Sequence, residues 1–109
     1  EVIYKDALVV EWQRAKIPFT RERKDEVTYK GVILPHFYFA DFVPWDKIIF
    51  EAKAVEALTD APVKQVLNYL AASGLVLGLL VNFGADSLGW KRVVLSRPKP
   101  QELPKDFQL

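Results

Sequence analysis

Apolar side chains in the first fifteen residues fall on two sides of a helical wheel, with Glu1, Tyr4, Leu8 and Trp12 on one face and Ile3, Ala7 and Val10 on another. Good helix formers without Gly or Pro predict a helix over residues 1–15, ended by Pro18, because the residue before a proline avoids helical geometry. A helix that is apolar on two sides is expected to be largely buried. Residues 27–34 read as a strand with Gly31 as a bulge or bend. Residues 37–43 and 48–54 are short and rich in β-formers. They flank Pro44-Trp45-Asp46-Lys47, which predicts an antiparallel hairpin.

Pro62 opens a second helix in its first turn, where its missing N–H costs nothing, and Ser73-Gly74 stops it after residue 72. Its core stripe is Val63, Val66, Leu67 and Leu70, and Gln65 and Tyr69 lie off that stripe, one turn apart. Residues 75–82 are almost all apolar, as in a strand covered on both faces. A strand–helix–strand unit crosses over right-handed, so this strand should run parallel to residues 48–54. Residues 90–95 form a last strand. The order α-β-β-β-α-β-β makes an α/β domain with a mixed sheet flanked by helices, over residues 1–95. Three of the seven prolines fall in residues 96–109, which are expected to be an irregular proline-rich tail.

A chain of 109 residues can bury one core but not two. Half the residues are hydrophobic and 27% charged, the mix of a globular protein. With no cysteine there is no disulfide framework and no thiolate metal site, which fits a cytoplasmic protein. No apolar run approaches the ~20 residues that cross a bilayer, and nothing at the start reads as a signal peptide. The chain opens at Glu1 rather than Met, so a few upstream residues are expected. A net charge of +1 is weak support for nucleic-acid binding. Arg14, Lys16, Arg21, Arg23 and Lys24 form one basic cluster and Lys91, Arg92, Arg97 and Lys99 another, each readable as a binding patch or a solvated surface.

The chemistry concentrates in two apolar strands. Asp41 interrupts one, and Glu51 and Lys53 interrupt the next, where charge is costly unless paired or bound. Alternation puts Glu51 and Lys53 on one face, and a loop over residues 45–47 would set Asp41 opposite Glu51. Two adjacent carboxylates repel and raise one pKa, a conflict that a divalent cation removes. Mg²⁺ favours a couple of carboxylates plus waters and phosphate oxygens, and Lys53 would then act on a water or a phosphate. The bland alternative is a buried ion-pair cluster in which Lys53 neutralises both acids. His36, the lone histidine, is an auxiliary ligand or a plain strand-start residue. Asn82-Phe83-Gly84 is a ligand-binding strand end or a turn. Trp12, Trp45 and Trp90 stack on bases or pack. No P-loop, dinucleotide fingerprint or Ser-His-Asp arrangement is visible.

Asp41, Glu51-Ala52-Lys53 and Gln65-Val66-Leu67-Asn68-Tyr69 together resemble the D…ExK…QxxxY series of RecB-like PD-(D/E)XK nucleases. More narrowly, the chain resembles the GxxExxY family of that superfamily. Glu1-Val2-Ile3-Tyr4 matches its ExxY with the leading glycine before the chain start, and Ala40-Asp41-Phe42-Val43 and Leu79-Leu80-Val81-Asn82-Phe83-Gly84 match further blocks. The likeness runs from Glu1 to about Val94. It implies a PD-(D/E)XK nuclease-like core and metal-dependent hydrolysis of phosphodiester bonds, with DNA as the substrate. It further implies Asp41 and Glu51 as ligands of Mg²⁺ or Mn²⁺, with the Ala52 carbonyl and Glu1 as further ligands. Lys53 becomes the catalytic lysine, and Gln65, Tyr69 and Tyr4 position substrate. A homodimer follows by analogy with small nucleases of this class. The competing readings are a catalytically inactive nucleic-acid-binding module and a protein-interaction module on the same fold.

Overall fold

The computed structural model describes residues 1–95; the tail expected over residues 96–109 lies outside them. The elements follow the expected order: α1 (Val2–Arg14), β1 (Phe19–Tyr29), β2 (Val32–Pro44), β3 (Ile48–Lys53), α2 (Asp60–Ser73), β4 (Leu77–Asn82) and β5 (Gly89–Val94). The strands form one five-stranded sheet in the order β1-β2-β3-β4-β5. β3 and β4 are parallel, and every other neighbouring pair is antiparallel. The right-handed crossover expected from strand, helix and buried strand therefore places β4 beside β3 as anticipated.

Two clusters of side chains cover the two faces. Ile49 packs with Ala40, Val43, Val66, Tyr69, Leu70 and Val93. Its neighbour Phe50 packs instead with Phe42, Ala52 and Val81, against Leu8, Val9 and Trp12 of α1. Consecutive strand residues point to opposite faces, so α2 covers one side of the sheet and α1 the other. Val63, Val66, Leu67 and Leu70 all enter the α2 cluster, as their spacing requires. α2 opens after Thr59 and closes on Gly74, whose φ of 80° is the left-handed cap that glycine adopts without strain.

Two expectations are corrected. The strand expected over residues 27–34 is instead a hairpin: β1 and β2 are joined at Lys30 and Gly31, both at positive φ (49° and 76°). β1 escaped notice because Arg21 to Glu26 is an unbroken run of charges on an edge strand with only Arg23 and Asp25 half-buried. α1 buries none of its residues fully, although two-sided apolarity predicted a buried helix. Its Leu8–Trp12 side meets the sheet, while Ile3 is 80% exposed because among the described residues no second layer covers α1 from outside.

Candidate functional site

The acidic pair is built where β2 changes phase. Tyr38 and Ala40 belong to the α2 cluster, yet Phe42, two residues on, belongs to the α1 cluster. A regular strand keeps such residues on one face, so the side-chain phase of β2 slips at Asp41 while its register with β1 holds. β1 slips with it. Arg21 pairs with Phe42 and Arg23 with Ala40, leaving Glu22 at a φ of 54° across from Asp41. The slip aims the Asp41 side chain along the sheet toward β3. There its Oδ2 accepts a hydrogen bond from the Ala52 N–H at 2.9 Å, and its own N–H donates to Glu51 Oε1 at 3.2 Å. β2 and β3 pair at Phe42 and Phe50, and just beyond that pair these two bonds bring the expected neighbours Asp41 and Glu51 together. The N–H and C=O of one strand residue point to the same edge, so the Ala52 carbonyl faces the gap where Asp41 sits.

Glu51 is 4% exposed, and among the described residues the only other buried polar side chain is Asn82. Burial pushes the Glu51 carboxyl up to about 8, reinforced by the Asp41 charge and a carboxyl–carboxyl hydrogen bond; the Asp41 N–H and the Lys53 charge oppose the rise. Lys53 is half-buried on the same face as Glu51. Among the described residues it makes no ion pair, so the alternative in which Lys53 neutralises both acids is not what the structure holds. The counter-ion comes from α1: Lys5 Nζ lies 2.9 Å from Asp41 Oδ1 and 3.6 Å from Glu1 Oε1. Burial alone would lower the Lys5 pKa, but the hydrogen bond to Asp41 and the charges of Asp41, Glu1 and Glu51 outweigh it and raise it. Glu1 thus meets the acidic pair through Lys5.

Gln65 and Tyr69 come together on α2, with Gln65 Nε2 donating to the Tyr69 hydroxyl at 3.3 Å. Tyr69 is more buried than its position off the apolar stripe implied, and its ring stands edge-on to Tyr38 at 4.7 Å. Burial and the nearby Glu51 charge raise its hydroxyl pKa. Tyr4 stacks on Phe83 at 5.0 Å, tying the start of α1 to the end of β4. His36 is exposed on β2, five residues from Asp41.

Sequence reasoning missed two residues. Lys5 fits the stripe Glu1, Lys5, Leu8, Trp12, spaced four, three and four, and a lysine in a stripe that faces a sheet was the available signal. Asn82 was read as part of a ligand-binding strand end or a turn, not as a clamp. Its Oδ1 accepts from the Val55 and Gly84 N–H groups at 3.0 Å each, and its Nδ2 donates to the Val55 carbonyl at 2.8 Å. The Phe83 N–H also donates to the Lys53 carbonyl at 2.8 Å. This clamp fixes the backbone leaving Lys53, and Gly84 completes it because a Cβ there would run into the backbone of Ala54 and Val55. Asn82→Ala strips three hydrogen bonds from the backbone of Val55 and Gly84 and is expected to cost about 2 kcal/mol, read as a lower denaturant midpoint. A midpoint unchanged from wild type would refute the clamp.

Among the described residues no group of three or more His, Cys, Asp or Glu side chains is arranged to hold a metal ion. The donor set nevertheless fits one divalent cation of the kind that takes two carboxylates and completes its shell with carbonyl, water or phosphate oxygens. A buried carboxyl with a raised pKa beside a carboxylate that already holds an ammonium at 2.9 Å marks a place where positive charge is favoured. The pair stands toward the carboxyl ends of parallel β3 and β4, the edge where α/β sheets bind ligands.

The first basic cluster is partly spent inside the chain, and Arg97 and Lys99 of the second lie outside the described residues. Arg21 pairs with Asp6 at 2.8 Å, Arg23 with Asp25 at 3.3 Å, and Lys24 lies 3.7 Å over the Phe37 ring. Trp12 packs in the α1 cluster, whereas Trp45 and Trp90 are exposed. No helix among the described residues is long and apolar enough to cross a membrane.

A family model described as the PD-(D/E)XK nuclease superfamily matches residues 1–93. Among solved structures, one described as the crystal structure of SSO0001 superposes with a TM-score of 0.66 at 18% identity, over 84% of this chain and 48% of that one. The chain thus spans about half the length of that structure, and at this identity the likeness concerns the fold. No curated protein matches the chain.

Proposed function

The chain belongs to the PD-(D/E)XK nuclease superfamily, and from that premise we propose that it is a metal-dependent nuclease of the GxxExxY type that hydrolyses phosphodiester bonds in DNA. The observation that carries this reading is the convergence of Asp41 and Glu51 across the β2–β3 gap, with Lys53 on the Glu51 face and free of any ion pair among the described residues. In this proposal residues 1–95 are the domain that carries the site. Asp41, Glu51 and the Ala52 carbonyl hold Mg²⁺ or Mn²⁺, and Glu1 stands at the rim as the second partner of Lys5. When bound, such an ion supplies Lewis-acid neutralisation of phosphate charge and a lowered pKa for water.

The side chains of this protein do the rest. Lys53 directs its ammonium at the attacking water and at the negative charge that grows on the phosphate. Gln65 and Tyr69, already hydrogen-bonded to each other, hold a phosphate oxygen in place with few rotamers left to freeze. Tyr4, stacked on Phe83, borders the entrance from the α1 side. A second copy of the chain as homodimer partner is part of the same proposal and is read by sedimentation.

The test is cleavage of single-stranded and duplex DNA with Mn²⁺, Mg²⁺ or EDTA. Lys53→Ala is expected to lower metal-dependent cleavage by roughly a hundredfold or more while leaving the fold intact. A pure, folded wild type that cuts nothing with either metal would sink the proposal for these substrates. The ion pair between Lys5 and Asp41 favours a second reading, because it lets the acidic cluster stand without a metal. That reading is a non-catalytic nucleic-acid-binding module, and it predicts DNA affinity that survives EDTA and Lys53→Ala alike.

A further inference from the structure

Lys5 is a side chain that the proposed chemistry does not use, yet it makes the shortest ion pair to the acidic site. α1 carries it over the sheet face at the level of the phase slip. Its neighbours on the helix are held there by the Tyr4–Phe83 stack on one side and Leu8 and Trp12 on the other. The ammonium sits between two carboxylates, 2.9 Å from Asp41 and 3.6 Å from Glu1. It is half-buried, with 21% of its side chain exposed, so the attraction is less screened than at an open surface. The same Asp41 carboxylate takes the Ala52 N–H through its other oxygen, so Oδ1 is the oxygen left for a cation.

We propose that Lys5 is a built-in counter-ion that occupies the cation position at Asp41 in the metal-free protein and yields it to a divalent ion. The inference rests on the metal-dependent reading of the Asp41–Glu51 pair. One oxygen cannot keep an ammonium at 2.9 Å and also accept a divalent ion at its usual ~2.1 Å without the two cations repelling each other. Lys5 has somewhere to go. Glu1, one helical turn before it, is a second partner, so the lysine exchanges one carboxylate for another and stays charged throughout. Lys5 thereby sets a threshold on metal affinity and protects a repulsive acidic pair until metal arrives. Reciprocity follows: whatever Lys5 contributes to the metal-free fold is subtracted from metal affinity.

The measurement is the affinity for Mn²⁺, by calorimetry on the full chain without nucleic acid, of wild type, Lys5→Gln, Lys5→Arg and Lys64→Gln. Lys64 is an exposed lysine on α2 that makes no ion pair among the described residues and controls for the change in net charge. Lys5→Gln is expected to bind Mn²⁺ on the order of tenfold more tightly than wild type. Lys5→Arg, which keeps the charge and guards against a folding defect in the glutamine variant, should bind no more tightly than wild type, and Lys64→Gln should match it. Equal or weaker binding by folded Lys5→Gln overturns the counter-ion role. If Glu51→Gln in the same series abolishes wild-type binding, the metal site itself stands even then. Absence of Mn²⁺ binding in wild type and Lys5→Gln alike overturns both readings together.

Discussion

Metal-free Glu51→Gln protein is expected to be more stable than wild type at pH 8, and with metal present to cleave far less than wild type. The wild-type carboxyl is pushed up to about 8 in the fold, against 4.5 for the free side chain, chiefly by its burial. Below about pH 4.5 the group is protonated in both the folded and the unfolded chain and costs nothing. As pH rises toward 8 the unfolded chain loses the proton and the folded chain keeps it, so stability declines across that window, by on the order of 4 kcal/mol in total. Glutamine keeps the size and the hydrogen-bonding reach of the neutral acid but cannot ionise, so the decline disappears. It also removes one of the two carboxylates that would hold the metal, and cleavage should fall by roughly a thousandfold or more. The check is thermal unfolding of both proteins in EDTA and in excess Mn²⁺ from pH 5 to pH 8.5. Wild type should lose stability with pH in EDTA and regain it with Mn²⁺ by mass action, whereas the variant should do neither. A wild-type midpoint flat across this range in EDTA would show that Glu51 titrates normally and remove the stability argument.

Trp12→Ala is expected to destabilise the protein by about 3 kcal/mol, at the low end for a truncated Trp because the ring is only half-buried. The indole stands edge-on to three rings at once, Phe19, Phe42 and Phe50, with centroids 5.4, 5.2 and 5.0 Å away. α1 is unusually dependent on this contact. It buries no residue fully, has no side-chain cap at its start, and at 13 residues is too short to hold together in water alone. For a domain of this size the loss corresponds to a melting temperature lower by roughly 10–20 °C. The loss should be local first. Amides of α1 should exchange faster with solvent while those of β3, β4 and α2 stay protected, and Lys5 and Tyr4 should leave the site with the helix. Val10→Ala, on the exposed side of α1, should change stability by less than about 0.5 kcal/mol. Equal exchange in α1 of Trp12→Ala and wild type would show that α1 is anchored elsewhere.

Much of this protein could be read from its residues. The stripe Val63, Val66, Leu67, Leu70 and the glycine after it set α2, because helical period and a left-handed cap are local properties. The apolar run over residues 75–82 set a covered strand, and handedness made it parallel to β3. The short loop over residues 45–47 set β2 and β3 as an antiparallel pair, whose strands carry Asp41 and Glu51 to each other. Those are short-range rules, and they carry Asp41 and Glu51 onto neighbouring strands.

What tertiary structure decided has longer range. The charged residues of β1 carry no local strand signal; that strand exists because β2 offers an edge for it to pair with. The slip at Asp41 depends on two strands changing phase together, which no single segment encodes, and it is the slip that aims the carboxylate at the Ala52 N–H. Which lysine neutralises Asp41 was open to sequence only as a choice by nearness along the chain, and nearness favoured Lys53. The answer is Lys5, 36 positions before Asp41 in the sequence and 2.9 Å away in space, because the packing of α1 on the sheet sets that distance. Patterning fixed which residues are acidic, apolar and helical; only the fold could fix which charges meet, because electrostatic energy depends on separation in space.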